Sequence, residues 1–134
     1  MEQTIRADIL NSFPPVDQAA VEALLQQEIH SSDVKFIVLD DDPTGVQTVH
    51  DISVYTDWSV ESIQSGLMEP GKVFYILTNS RGLTAEQTTA VHREISANIN
   101  AAAKATGKRY LIMSRSDSTL RGHFPLETEL LREG

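Results

Sequence analysis

Cysteine is missing from all 134 residues. That excludes a disulfide framework, a thiolate zinc site and a thiol nucleophile, and it agrees with a cytoplasmic setting. Positive charge is scarce: 11 Lys and Arg stand against 19 Asp and Glu, a net charge of −8. Nucleic acids and anionic membranes both require a basic footprint, so neither is an expected partner. A small anion needs only two or three well-placed Arg and is not excluded. Apolar runs are short, as at 36–39 and 73–77, far below the roughly 20 residues that span a bilayer. The N-terminus, Met-Glu-Gln-Thr-Ile-Arg-Ala-Asp, lacks the basic and apolar regions of a signal peptide. With 7 Gly and 5 Pro the chain is neither a linker nor a fibre. No Asn-x-Ser/Thr sequon, internal repeat or low-complexity tract occurs.

What is present is ordinary globular composition, 40% hydrophobic and 22% charged, enough for one domain or a piece of one. Residues 1–33 read as a helical lead-in without chemistry. Pro14-Pro15 stop what precedes them, and Pro15 suits the first turn of a helix with an apolar stripe of Val21, Leu24, Leu25 and Ile29. From 34 the pattern changes. The β-rich run 34–39 reads as a buried strand, 51–55 as a weaker one of undetermined direction, and 72–78 and 109–113 as two more. Between them, Ser59 caps a helix with Val60, Ile63 and Leu67 on one face. Thr84 and Gln87 form a capping box for a helix carrying Val91, Ile95, Ile99 and Ala102, which Gly107 ends. Pro125 opens a last helix with Leu126, Leu130 and Leu131. Strands alternating with helices predict an α/β fold: a three-layer, Rossmann-like, mostly parallel sheet of about four strands, over 34–134.

In such sheets ligands bind outside the carboxyl ends of the strands. Three strand exits here are strongly polar, and a parallel sheet sets them on one edge. Asp40-Asp41-Asp42-Pro43-Thr44-Gly45 stacks three carboxylates, whose repulsion calls for a cation, an Arg or helix amides. It reads as a Mg²⁺ ligand, a general base or an acceptor for substrate hydroxyls; the plain alternative is a solvated turn. Asn79-Ser80-Arg81 offers an amide, a hydroxyl and a guanidinium suited to a carboxylate or phosphate, or else a turn with Arg81 paired to a surface acid. The stretch 114–122 holds Arg115, Asp117, Ser118 and Arg121 just before a helix start, where amides favour anions. Glu127 and Glu129 compete for that field. The alternative is Asp117 bridging Arg115 or Arg121 while the hydroxyls cap the helix. His30, His50, His92 and His123 lack metal-ligand spacing; His30 and His92 read as structural or surface groups, and His50 and His123 border the polar loops. Trp58 and the three Tyr read as packing groups. No glycine-rich nucleotide-phosphate loop is present.

The segments 39–45 (Leu-Asp-Asp-Asp-Pro-Thr-Gly), 77–81 (Leu-Thr-Asn-Ser-Arg) and 114–122 (Ser-Arg-Ser-Asp-Ser-Thr-Leu-Arg-Gly) together resemble the N-terminal half of four-carbon acid sugar kinases. That family carries an Asp-Asp-x-Thr-Gly segment after its first strand and a Lys/Arg-x-Asp-Ser-Thr-Leu-Arg-Gly segment later. The second motif is the specific one. The resemblance implies an ATP-dependent kinase for a C4 sugar acid such as threonate, erythronate or a 3-oxo-tetronate, with the N-domain holding the acid and a separate C-domain holding ATP. By position, Asp41 and Asp42 match the acidic pair, followed by Thr44 and Gly45, and Arg115, Asp117, Ser118 and Arg121 match the second motif. The resemblance then assigns Arg81, Arg115 and Arg121 to the substrate carboxylate. It assigns Asp41, Asp42 and Asp117 to the sugar hydroxyls, one of them as base, with Thr44, Gly45, Asn79, Ser80 and Ser118 lining the substrate. Two departures stand out: Arg115 replaces a common Lys, and the chain covers about the first third of the family's length. ATP and Mg²⁺ are therefore expected of a full-length enzyme and not of this fragment, which is expected to be incompetent alone. Its expected partners are the sugar acid and either a missing C-terminal nucleotide domain or a second copy of itself.

A second resemblance competes. Asp40-x-Asp42-x-Thr44 after an apolar strand is similar to the first motif of haloacid-dehalogenase-type phosphatases, with Asp40 as nucleophile, and Leu77-Thr78-Asn79 to the second. Lys104 and Lys108 are available for the Lys of that family, but the later acidic pair is missing and 116–122 goes unexplained. A non-catalytic module for a small anion is the third class.

Overall fold

A computed structural model of the chain describes residues 6–117, 119 and 121–134. It divides into two compact units, Met1–Ser32 and Asp33–Gly134.

The first unit is a 3₁₀ turn, Ala7–Ser12, and helix α1, Gln18–Ser31. The helix starts at Gln18, three residues after Pro15, because Asp17 takes the cap: its carboxylate accepts from the Ala20 N–H at 3.1 Å. The stripe at Val21, Leu24, Leu25 and Ile29 is present but exposed, and no described residue of α1 is buried. One helix and one turn supply no second layer against which an apolar face can close.

The second unit contains strands β1 (Lys35–Asp40), β2 (Val54–Tyr55), β3 (Val73–Leu77) and β4 (Tyr110–Arg115), and helices α2 (Val60–Met68), α3 (Ala85–Thr106) and α4 (Leu126–Glu133). The strands form one all-parallel sheet in the order β2-β3-β1-β4. The fold is thus the Rossmann-like α/β arrangement, and the short strand β2 runs parallel to β3. β1 lies between β3 and β4, with Asp40 opposite Leu77 on one side and Arg115 on the other. All three polar exits therefore leave the same end of the sheet from adjacent strands. β4 extends two residues beyond the apolar run, so Arg115 belongs to the strand end and not to the loop.

The core lies between one sheet face and two helices. Ile37, Leu39, Phe74 and Ile76 meet Ile63 and Leu67 of α2 and Ile95, Ile99 and Ala102 of α3. Each large apolar side chain enclosed this way is worth about 1.5–3 kcal/mol. Helix ends are set as their residues dictate. Ser59 accepts from the Ser62 N–H, Thr84 and Gln87 complete a capping box, and Gly107 ends α3 in the left-handed region at φ 67°. Lys35 closes the far end of α2: its buried ammonium donates to the carbonyls of Glu69 and Gly71, and burial lowers its pKa. Among the described residues, no helix is long and apolar enough to cross a membrane.

Candidate functional site

Pairing across β1 draws the three exits together before any side chain acts. The Asp40 carbonyl accepts from the Thr78 N–H at 2.9 Å and from Thr78 Oγ1 at 3.0 Å, and the Asp41 carbonyl accepts from the Arg81 N–H at 3.2 Å. Asn79 makes the sharp exit from β3 in the left-handed region, φ 54°, a conformation that Asn tolerates better than most residues.

Asp41 is the hub. Its side chain is wholly enclosed, and the Arg81 guanidinium grips it with two prongs: Nε to Oδ2 at 3.0 Å and Nη2 to Oδ1 at 2.8 Å. The backbone N–H of Asp117 donates to the same Oδ2 at 3.0 Å. One carboxylate thus ties the acidic turn, the Asn-Ser-Arg turn and the turn after β4 to each other. The Arg81 side chain also pairs with Asp42. Asp42 accepts from the Thr44 N–H at 2.8 Å and from the Thr44 hydroxyl, and these hydrogen bonds hold its carboxyl below the usual range. Hydrogen bonding to Asp41 in turn raises the Arg81 pKa.

Asp40 behaves differently. It has no exposure, neither carboxylate oxygen has a hydrogen bond, and its nearest counter-charge is Arg115 Nη1 at 3.6 Å. Burial pushes its pKa up, with Arg115 opposing. Gly45 closes over it: a Cβ there would stand 1.8 Å from Oδ2, so only glycine fits that approach. An aspartyl nucleophile needs an open line to phosphorus, and Asp40 has none.

The remaining expected groups lie at or beneath the rim. Thr44 and Asn79 are exposed. The Arg115 and Arg121 side chains are 45% and 72% exposed, Arg121 lying 3.9 Å from Asp117. Asp117 Oδ1 accepts from the Thr119 N–H at 2.9 Å and from its hydroxyl at 2.7 Å. Gly122 packs on the Asp117 carbonyl, which a Cβ would meet at 1.7 Å. Ser118 lies outside the described residues. Ser80 has no exposure and points inward, donating to Glu127 Oε1 at 2.6 Å.

Glu127 and His92, both 1% exposed, stand under the rim with Nε2 and Oε1 3.5 Å apart. Neither reads as a site residue in the sequence, Glu127 because an acid in a helix's first turn is usually solvated. Periodicity held the signal: Glu127 is three residues before the buried Leu130, and His92 lies on the Thr88–Ile95–Ile99 face.

Asp40, Asp41 and Asp42 present carboxylate oxygens within 4.8 Å of one another, a spacing a divalent cation can bridge. Arg81 already occupies Asp41 and Asp42, so guanidinium supplies the compensation here and a cation would have to displace it. The described residues include no glycine-rich turn leading into a helix to cradle nucleotide phosphates.

A family model described as a sugar-binding N-terminal domain matches residues 36–134. No curated protein and no solved structure matches the chain. The match begins one residue into β1 and takes in all three rim segments, and on it the chain belongs to the sugar-binding N-terminal domain family.

Proposed function

We propose that this chain binds a four-carbon sugar acid of the threonate, erythronate or 3-oxo-tetronate type at the strand-exit rim, as the substrate-holding part of an ATP-dependent kinase. Membership of a sugar-binding family supports the ligand class. The kinase reading rests on the resemblance of 39–45 and 114–122 to four-carbon acid sugar kinases. The observation that carries the reading is the Asp41 hub, which draws three polar turns to one edge and leaves two further guanidinium groups facing water. In this arrangement Arg81 is spent on Asp41 and Asp42, so Arg115 and Arg121 hold the substrate carboxylate. Thr44 and Asn79 meet hydroxyls. Asp42 and Asp117, with side chains 20% and 17% exposed, are the acids nearest solvent for the reacting hydroxyl. ATP and Mg²⁺ would supply the phosphoryl group and its charge neutralisation. The described residues do not fit a nucleotide, so no transfer step is assigned to them.

Calorimetric titration with threonate and erythronate tests the reading. A charge-assisted hydrogen bond is worth about 1.5–3 kcal/mol, so Arg121→Ala is expected to weaken binding by at least about tenfold with the melting temperature unchanged. No heat from either acid, or equal affinity in the variant, would sink it. Hydrolysis of p-nitrophenyl phosphate abolished by Asp40→Asn would favour the phosphatase instead.

A further inference from the structure

Glu127 is a buried carboxylate whose Oε2 has no hydrogen bond, set between Ser80 and His92. Its neighbours fix how it is accommodated. His92 Nδ1 lies 2.9 Å from the Thr88 carbonyl, and a carbonyl only accepts, so Nδ1 carries a hydrogen. Nε2 then faces Glu127 Oε1 at 3.5 Å. With both atoms bare, two acceptors would oppose each other out of reach of water, at a cost no partner offsets. One proton on either group removes the conflict, whether as imidazolium with carboxylate or imidazole with carboxylic acid. Ser80 Oγ reaches the same Oε1 at 2.6 Å, the length of a hydroxyl donating to a carboxylate. Its other contact, Thr78 Oγ1 at 3.0 Å, leads to the Asp40 carbonyl. Neither Glu127 nor His92 has the surface to touch a ligand, and Ser80 immediately precedes the guanidinium that grips Asp41.

We infer that Glu127 and His92 are positioning residues: through the Ser80 hydroxyl they hold the Ser80–Arg81 turn and so keep Arg81 locked on Asp41 beneath the sugar-acid site. Their effect on ligand rests on the function proposed above; their effect on Arg81 does not. If they were mere filling, their loss would lower stability without loosening Arg81.

The experiment uses the whole chain. Exchange of the Arg81 Nε–H with solvent is followed by NMR, alongside the core amides of Ile76 and Ile99, and erythronate affinity is measured in parallel. Ser80→Ala and Glu127→Ala are expected to speed Arg81 Nε–H exchange at least about tenfold with the core amides unchanged, and to weaken erythronate by a similar factor. Glu127→Gln keeps a side-chain oxygen that can accept from Ser80 and is expected to recover most of both. The His92 nitrogen shifts are expected to show Nδ1 protonated. Unchanged Arg81 exchange in Ser80→Ala, equal acceleration at Ile76 and Ile99, or a bare Nδ1 would overturn the inference. Ser80→Ala removes one oxygen and decides the matter if Glu127→Ala does not fold. A wild-type chain that ignores every sugar acid would refute the proposed function, while Arg81 exchange would still test this one.

Discussion

Both oxygens of Asp41 are committed, to Arg81 and to the Asp117 amide, and its side chain has no exposure. Among the described residues no other rim carboxylate ties all three turns: Asp42 is held by its own turn and Arg81, and Asp117 accepts from Thr119 within its own turn. Replacing Asp41 by Asn keeps the shape but removes the charge, and turns an amide NH₂ toward groups that are themselves donors. Breaking a buried ion pair by losing one partner costs about 3–5 kcal/mol. Arg81 is 18% exposed, and partial access to water places the expected loss for Asp41→Asn near the lower bound, about 3 kcal/mol. Urea unfolding monitored by circular dichroism measures it. A loss under about 1 kcal/mol would mean that Asp41 is not what joins the three turns.

Among the elements, close packing of α2 on β3 depends on a missing side chain. A Cβ on Gly66 would meet three ring atoms of Phe74 at 2.7, 2.8 and 2.9 Å, and Phe74 is fully buried and held edge-on by Tyr55. Alanine is better than glycine in a helix by about 1 kcal/mol, whereas overpacking a tight core costs about 1–3 kcal/mol. The second term wins, so Gly66→Ala is expected to lower stability by about 1 kcal/mol with an unchanged urea m-value. A stabilised variant would show that Phe74 gives way freely. These elements were the legible part of the sequence. β1 and β3 announced themselves as apolar runs, and the Thr84–Gln87 box and Gly107 marked both ends of α3, because propensity and capping act within a few residues. What stayed illegible was pairing at long range. No local pattern says that Arg81 spends itself on Asp41, 40 positions earlier, or that Glu127 turns inward to Ser80, 47 positions away. The three turns could be grouped on one edge from the strand-end rule. Which of their side chains would remain at the surface could not, since that depends on who pairs with whom. The α1 stripe shows the converse, a clear helical period that predicts a helix but not its burial.

For the molecule as a whole, titration couples these local environments to global stability. Asp42, half-buried and hydrogen-bonded, has a lowered pKa, so its contribution is present above the ordinary 3.8 and fades as pH falls through its lower folded value. Asp40, raised by burial, works the other way: its contribution is complete below 3.8 and is lost as pH climbs through its higher folded value. On the alkaline side Tyr55 contributes: its hydroxyl donates to Glu69 at 2.7 Å, and burial pushes its pKa up from 10.0 to about 12. A raised folded pKa means the folded state keeps its proton longer than the unfolded chain does. The stabilisation is therefore full below pH 10 and disappears as pH rises through about 12. Tyr55→Phe lacks both the hydrogen bond and the titration. It is expected to be less stable than wild type by about 1 kcal/mol at pH 7, with the gap closing between pH 10 and 12. Melting temperatures of the two proteins across that range measure the gap directly. Parallel curves would mean that Tyr55 titrates alike folded and unfolded, and that the Glu69 bond does not hold its proton.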